Sequence, residues 1–169
     1  AEKEVSLSIE RLIYYAGWCD KFQQLYSTVN PVASSHFNFS APEPTGVVSI
    51  IAPQNNSLIG LVSVIAPIIA GGNTCVVLAS ASKPLCAVTF AEVLGTSDVP
   101  GGTINILTGK PGELLSWFSD HMDVNAIVFC ENDKEAILKI QQKATLNLKR
   151  VLLWNNYNWL LETAQNPYL

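Results

Sequence analysis

The sequence predicts an α/β fold in which a parallel sheet lies between layers of helices. From Val47 onward, short runs of β-branched and other apolar residues alternate with longer stretches of helical character. The runs are continuous, as is typical of strands that are covered on both faces. Five strands alternating with four helices indicate right-handed crossovers and therefore a Rossmann-like sheet.

The strands are predicted from apolar runs that are bounded by turn residues. They cover Val47–Ala52, Thr74–Leu78, Thr103–Leu107, Ala126–Cys130 and Leu148–Leu153. The helices between them are predicted at about 57–70, 84–95, 111–119 and 133–145.

Capping residues support these helices. Gly71-Gly72 provides a C-terminal stop for the first helix, and Pro84 and Pro111 suit the first turns of the second and third. The fourth begins at Asn132–Glu135, which is similar to a capping box.

The chain divides into three parts. Residues 1–45 are predicted to form an amphipathic helix at 9–26 and a proline-containing connector, because Ile9, Leu12 and Ile13 recur near helical spacing. Residues 46–157 form the Rossmann-like domain. Residues 158–169 form a truncated C-terminal segment, whose Trp159–Leu161 predicts apolar surface that needs a cover. The alternative is that Trp159 and Leu160 fold back onto the domain's own core.

Composition excludes several function classes. Only 14% of residues are charged, below the ~25% usual for soluble domains, which suggests that part of the apolar surface is covered by a partner. The net charge of −4 leaves no basic footprint for nucleic acid. The longest apolar run, 58–70, is too short for a membrane span. No signal-peptide pattern is present, so we expect a cytoplasmic protein.

The cysteines and histidines predict no metal site. The four cysteines show no C-x-x-C spacing, and Cys75 and Cys130 lie in strand-like runs where a thiol acts as a small apolar group. Reduced thiols therefore fit better than a disulfide framework. His36 and His121 have no second ligand at metal spacing.

Several motifs resemble those of aldehyde dehydrogenases, in the family order and close to its spacing. They are Tyr14–Lys21 (Y-Y-A-G-W-x-D-K), Glu43–Val47 (E-P-x-G-V), Pro84-Leu85, Val99–Ile106 and Asn147–Val151 (N-L-K-R-V). The resemblance runs from about residue 9 to 157. It implies a nucleotide-binding domain that packs against a catalytic domain in a dimeric or tetrameric NAD- or NADP-dependent enzyme.

Residues that carry the chemistry in this family are missing here. The motif N-L-K-R-V-x-L-E-L-G-G carries the general base, and Trp154 stands in place of its glutamate. An indole N–H donates a hydrogen bond but cannot take up a proton. The family's nucleophilic cysteine lies roughly thirty residues beyond that glutamate, and none of the four cysteines matches it.

Asn55 is the one catalytic position that the resemblance carries over. In the family, the first strand of the domain ends in P-W-N-F-P, whose asparagine helps to form the oxyanion hole. Here the stretch is Pro53–Ser57, with Asn55 at the asparagine position and Gln54 replacing the tryptophan. An alternative interpretation is that Asn55 caps the following helix or makes a turn.

No residue of this chain is predicted to bind the cofactor. The family's lysine and glutamate that hold the adenosine ribose align with Leu78 and Ala81, which cannot hydrogen-bond to a ribose hydroxyl. The glycines of its G-S-T-x-x-G phosphate turn align with Glu131 and Ala136. The carboxylates of Glu131, Asp133 and Glu135 would stabilise the helix dipole but repel a pyrophosphate.

These features predict a fragment of a degenerate aldehyde dehydrogenase module. The pattern of loss is similar to that of the non-catalytic module of family-sixteen aldehyde dehydrogenases. We expect a scaffold or assembly domain that packs against the rest of its parent protein and forms a homo-oligomer. The alternative is a fragment of an active NAD(P)-dependent enzyme that oxidises aldehydes to carboxylic acids. A third possibility is that the cleft binds some other ligand.

Overall fold

A computed structural model describes residues 2–161 of the chain. The N-terminal part contains α1 (Glu2–Cys19), α2 (Phe22–Tyr26) and a short antiparallel pair, β1 (Thr28–Val29) and β2 (Phe39–Ser40). The remaining elements, in chain order, are β3 (Val47–Ile51), α3 (Ile59–Ala70), β4 (Thr74–Leu78), α4 (Leu85–Gly95), β5 (Ile104–Leu107), α5 (Pro111–Asp120), β6 (Ala126–Phe129), α6 (Lys134–Ala144) and β7 (Arg150–Leu153).

The five strands β3–β7 form one parallel sheet with the order β5-β4-β3-β6-β7. The first strand of the unit, β3, is central, and the chain runs outward from it first in one direction and then in the other. This doubly wound order confirms the predicted Rossmann-like sheet. The order reverses beside β3, and crevices at such switch points commonly bind ligands at the carboxyl ends of the strands.

The sheet is covered on both faces, as the continuous apolar runs predicted. On one face, α3 and α4 pack with strand residues such as Ile50, Val77 and Val128, which are almost fully buried. On the other face, α5 and α6 bury Phe118 and Ile140 against neighbouring strand residues. Helix α1 packs against α3 as an additional layer.

The predicted strands and helices of the sheet domain all occur, most of them a residue or two shorter than the patterns indicated. Gly72 follows α3 with φ +79°, and a Cβ there would lie 2.9 Å from Cγ of Pro44, so this turn requires glycine on two grounds. At α6, the N-cap residue is Asp133.

The N-terminal helix differs from its prediction. Instead of one helix at 9–26, α1 already begins at Glu2, and the chain turns at Asp20-Lys21 before α2. The buried side chains of α1 are Ser8, Arg11 and Tyr15. The apolar residues Ile9 and Ile13, on which the prediction depended, are 53% and 67% exposed.

The segment after β7 also corrects the expectation of an apolar surface at Trp159–Leu161. Trp159 is buried in the core beside α3, whereas Leu160 and Leu161 remain partly exposed. The guanidinium of Arg11 donates to the carbonyl oxygens of Trp159 at 3.1 Å and Leu161 at 3.0 Å. The fold-back alternative is therefore correct for Trp159. Residues 162–169 of the predicted C-terminal segment lie outside the described residues.

Within residues 2–161, no helix combines the length and the apolar character that crossing a membrane would need.

Candidate functional site

A cavity of about 580 Å³ lies at the carboxyl ends of β3, β6 and β7, and we call it the carboxyl-edge cavity. The loops that follow these three strands line it. Its lining residues are Pro53, Gln54, Asn55, Asn56, Cys130, Glu131, Asn132, Asn156, Tyr157, Asn158 and Trp159. This is the edge of the sheet at which the strand order reverses, so the cavity occupies the usual ligand position of a doubly wound fold.

Asn55 lines this cavity with an exposed side chain in the loop between β3 and α3. It does not cap α3. The backbone N–H groups of Leu58 and Ile59 instead donate to a carboxylate oxygen of Glu4, at 3.0 and 3.2 Å. The helix-cap interpretation of Asn55 is therefore wrong, because a carboxylate from α1 occupies the start of α3. Its placement in a loop bend agrees with the turn interpretation.

Trp154 follows β7 at the position that the resemblance assigns to the general base. Its backbone N–H donates to the carbonyl oxygen of Phe129 at 2.9 Å, which continues the ladder between β6 and β7. The indole is 4% exposed and belongs to the core cluster that contains Val128, Cys130 and Trp159. The position thus carries no proton acceptor, and its side chain is part of the apolar packing.

The start of α6 is occupied by the chain's own carboxylate. Asp133 accepts hydrogen bonds at one oxygen, Oδ1, from the backbone N–H of Glu135 at 2.9 Å and of Ala136 at 3.1 Å. Free N–H groups at a helix start are what a phosphate group needs. Because Asp133 already accepts hydrogen bonds from these N–H groups, an anionic ligand would have to displace a carboxylate that belongs to the same chain.

Glu131 is held by a different partner. Its Oε1 accepts a hydrogen bond from Nε2 of Gln54 at 2.9 Å. Burial raises the pKa of the Glu131 carboxyl and Asp133 raises it further, while the hydrogen bond from Gln54 acts in the opposite direction. The negative charge of Glu131 therefore lies in an unfavourable, partly desolvated environment that favours uncharged or cationic neighbours over anions.

Gln54 connects the loops of three adjacent strands. Its Oε1 accepts from the backbone N–H of Ala81, after β4, at 2.8 Å, while its Nε2 reaches Glu131, after β6. The backbone carbonyl oxygen of Gln54 also accepts a hydrogen bond from Oγ of Ser80 at 3.0 Å. The sequence showed only that a tryptophan of the family pattern was replaced by glutamine. No local signal identified the two partners, because they lie 27 and 77 residues away along the chain.

The residues aligned with the family's ribose contacts lie at the end of β4 and in the loop that follows it. Leu78 ends β4 and is fully buried in the core on the α5–α6 face. Ala81 is exposed, but its backbone N–H is bonded to Gln54. Lys83, just before α4, is exposed to solvent.

Two of the cysteines are buried. Cys130 lines the carboxyl-edge cavity but is buried, and desolvation together with the charge of Glu131 raises the pKa of its thiol. Cys75 is buried in β4, and burial raises its pKa to about 12. Both agree with the predicted buried thiols, and a protonated thiol is a poor nucleophile. Within residues 2–161, no group of acidic, cysteine and histidine side chains is arranged to hold a metal ion.

Comparison with known proteins gives consistent results. The sequence pattern of the aldehyde dehydrogenase family matches residues 1–155. The chain is 35% identical over 150 residues to the cytosolic 10-formyltetrahydrofolate dehydrogenase of Xenopus tropicalis, and 33% identical to the mitochondrial 10-formyltetrahydrofolate dehydrogenase of Homo sapiens. These matches cover 88% of the chain but only 17% and 16% of the two relatives.

The fold is similar to that of solved aldehyde dehydrogenases. A structure of the Bacillus cereus enzyme in complex with NAD⁺ superposes on 90% of the chain with a TM-score of 0.83 and 25% sequence identity. The chain spans 30% of that structure. The chain therefore corresponds to a limited part of each of these longer relatives.

Proposed function

Because the chain belongs to the aldehyde dehydrogenase family, we propose that it acts as a non-catalytic assembly module of a larger protein of that family. The observation that carries this proposal is the position of Trp154. A core-buried indole stands where the family mechanism needs a carboxylate. A module in this state can still contribute its folded surface to an assembly.

The state of the cofactor crevice supports the same proposal. Gln54 joins the loops on both sides of β3, and Asp133 uses the N–H groups at the start of α6. Leu78 fills the core at a ribose-contact position. NAD or NADP would have to break these contacts and would meet the carboxylates of Glu131 and Asp133. We therefore infer that this chain binds neither cofactor tightly.

Exposed apolar surfaces support the assembly role. The β1–β2 pair is a two-stranded sheet, which is marginally stable by itself in water. The pair and the segment that joins its strands expose Val29, Phe37 and Phe39, whose exposed fractions are 69%, 75% and 63%, and the centroids of the two phenylalanine rings lie 5.6 Å apart. Contiguous apolar surface of this kind usually marks an interface. We propose that the β1–β2 pair contacts a second copy of the chain or the remainder of its parent protein.

A second apolar surface lies between α1, α3 and α4. It is a groove of about 550 Å³ with Val5, Ile9, Leu58, Leu85 and Val93 among its lining residues. The exposed residue Ile13 extends the apolar surface along α1. This surface agrees with the low charge content of the chain, which predicted a covering partner. A cytoplasmic location stays a prediction, since the relatives include both cytosolic and mitochondrial proteins.

The alternative function is NAD(P)-dependent aldehyde oxidation by the parent protein, with this chain as one part of its active module. The matched relatives carry dehydrogenase names, and Asn55, which the resemblance aligns with the family's oxyanion-hole asparagine, is exposed and lines the carboxyl-edge cavity. For this alternative, residues outside the chain would have to supply a nucleophile and a base. Trp154 weighs against it, because it leaves the usual base position without a carboxylate.

The experiment measures NADH and NADPH formation from short- and long-chain aldehydes, with the parent protein that contains this chain and with its Trp154→Glu variant. We expect no product from the protein with Trp154, because its module has no carboxylate at the base position, and none from the Trp154→Glu variant, because a degenerate module lacks more than this one group. The NAD⁺-binding Bacillus cereus enzyme is the positive control. Turnover that persists through further purification would refute the non-catalytic role and support the alternative.

The assembly role is tested separately by light scattering coupled to size exclusion. We expect self-association at about tens of micromolar, which the double variant Phe37→Ser with Phe39→Ser weakens. Leu146→Ser is the matched control, because Leu146 is 81% exposed and lies between α6 and β7, outside the β1–β2 pair. A monomer across this concentration range would contradict association with a second copy.

A further inference from the structure

We propose that the carboxyl-edge cavity binds a small neutral polyhydroxylated compound, such as a sugar or an acyclic polyol, because amide side chains and a stacked aromatic ring line it and, among residues 2–161, no cationic side chain does. This inference is independent of the assembly role. It concerns the cavity at the carboxyl ends of β3, β6 and β7, where Trp154 replaces the family's general base.

The size and composition of the cavity suit a small ligand. Its volume of about 580 Å³ falls within the ~300–1,000 Å³ typical of small-molecule sites. Six of its eleven lining residues carry side-chain amides, namely Gln54, Asn55, Asn56, Asn132, Asn156 and Asn158. An amide offers a carbonyl acceptor and an NH₂ donor, which is the combination that matches a hydroxyl group.

Several of these amide groups are available to a ligand. The Asn132 side chain donates to the Asn156 carbonyl at 3.2 Å, which leaves the carbonyl of Asn132 and the NH₂ of Asn156. Asn158 accepts from the backbone N–H of Leu160 at 3.2 Å and retains its NH₂. The side chain of Asn55 has no hydrogen-bond partner among residues 2–161. Donors and acceptors thus occur together on three loops around one space.

Glu131 adds a fixed acceptor. Gln54 holds one of its carboxylate oxygens at 2.9 Å, so the side chain is oriented before a ligand arrives. A carboxylate accepts hydrogen bonds at both oxygens, and charge-assisted bonds are stronger than neutral ones. The second oxygen can therefore accept from a ligand hydroxyl without losing the contact to Gln54.

An aromatic ring supplies the apolar part of the site. The rings of Tyr157 and Trp159 stack with centroids 5.4 Å apart and an interplanar angle of 26°. Trp159 is 4% exposed and fixed in the core, whereas Tyr157 is 39% exposed. A sugar or polyol has a C–H surface beside its hydroxyl groups. The accessible ring of Tyr157 can cover that surface while the amides bond to the hydroxyls.

Charge decides against anionic ligands. Among the lining residues in the described part of the chain, 2–161, only Glu131 has a charged side chain, and Asp133 lies two positions further on. A phosphate or carboxylate group would meet repulsion with no compensating cation. A cationic amine would be attracted by Glu131. It donates hydrogen bonds but accepts none, so the NH₂ groups of the amides would find no acceptor on it. The amide majority therefore favours neutral hydroxylated compounds.

The test is isothermal titration of the chain with D-ribose, D-glucose and sorbitol, with a sugar phosphate and n-butylamine as the anionic and cationic comparisons. We expect saturable binding of at least one neutral compound, with a dissociation constant of about 1 mM. Asn55→Ala and Tyr157→Ala should each weaken this binding by about fivefold or more. Gln142→Ala, which removes an exposed amide from α6 far from the cavity, should leave it unchanged.

Three results would overturn the proposal. They are no saturable binding of the neutral compounds up to about 50 mM, equal or tighter binding of the sugar phosphate or the amine, and equal weakening by Gln142→Ala and Asn55→Ala. Asn55 is exposed, so its substitution leaves the fold intact and decides the question even if Tyr157→Ala fails to fold. Binding without NADH formation is compatible with the assembly role, and the two proposals can therefore fail separately.

Discussion

Gln54 and Glu131 are joined by a hydrogen bond of 2.9 Å that connects the loop after the central strand β3 to the loop after its neighbour β6. The bond spans the point at which the strand order reverses. In a doubly wound fold, this is where the chain leaves an opening for a ligand. Here a pair of protein side chains closes part of that opening, and the other carbonyl–amide contact of Gln54 extends the connection to Ala81.

The connection made by Gln54 predicts a local change in hydrogen exchange. In Gln54→Ala, the backbone N–H of Ala81 loses its acceptor, and we expect its amide exchange to accelerate by about fivefold, corresponding to about 1 kcal/mol. Native-state exchange followed by NMR measures this. Gln142→Ala is the control and should leave the Ala81 amide unchanged. Equal exchange rates in the wild type and Gln54→Ala would mean that this contact does not stabilise the loop.

Glu131 predicts a pH dependence of stability. Its pKa is raised in the folded state, so the folded chain holds a proton that the unfolded chain has already lost. Stability contributed by this group is therefore lost as pH rises above the ordinary glutamate value of 4.5. We expect the free energy of unfolding of the wild type, relative to Glu131→Gln, to fall between about pH 4 and pH 7. Urea titrations across this range measure it, and a constant or rising difference would contradict the prediction.

The burial of Trp154 in the core predicts a large loss of stability when it is replaced. Trp154→Ala should lower the free energy of unfolding by about 3–5 kcal/mol, because it leaves a cavity where the indole packs. Trp154→Phe should cost less, since most of the packing remains. Trp154→Glu should cost at least as much as the alanine variant, because it places a carboxylate among apolar groups. Urea denaturation ranks the three, and a stable glutamate variant would show that the position is less enclosed than its 4% exposure indicates.

Cofactor binding should be weak. We expect dissociation constants above about 1 mM for NAD and for NADP, which is less than ~4 kcal/mol of binding free energy. The reason is the combination of buried Leu78, the Gln54 connection and the carboxylate of Asp133 at the start of α6. Isothermal titration measures both constants. A low-micromolar value for either cofactor would show that the crevice opens at little cost.

Arg11 should hold the segment that follows β7. Its guanidinium donates to Ser63 Oγ at 2.5 Å and to the carbonyl oxygens of Trp159 and Leu161. In Arg11→Met, we expect a loss of about 2–4 kcal/mol, because the carbonyls lose charge-assisted partners. The tryptophan emission of the chain should shift to the red as the Trp159 indole becomes more exposed. Lys134→Met, at an exposed site on α6, should change neither quantity, and an unaltered spectrum in Arg11→Met would contradict the holding role.

The sequence by itself determined the sheet and the helices around it. The strand at Thr74–Leu78 was predicted to the residue, and the other strands and helices of the domain were placed within a few residues. Apolar periodicity, proline and glycine positions and N-cap residues act over a few positions along the chain, so a local pattern carries them. The family motifs and the replacement of the base by Trp154 are likewise visible in the order of the residues.

The tertiary structure decided which of these residues meet. The carboxylate of Glu4 accepts a hydrogen bond at the start of α3, 54 residues away, and so takes the capping role that the sequence assigned as an alternative to Asn55. Arg11 donates a hydrogen bond to the carbonyl oxygen of Trp159, 148 residues away, and the Trp159 side chain is buried where the composition suggested exposed surface. The side chain of Gln54 forms hydrogen bonds with Ala81 and Glu131 on two other loops. Such contacts depend on the relative positions of elements that packing alone fixes, and no pattern of neighbouring residues encodes them.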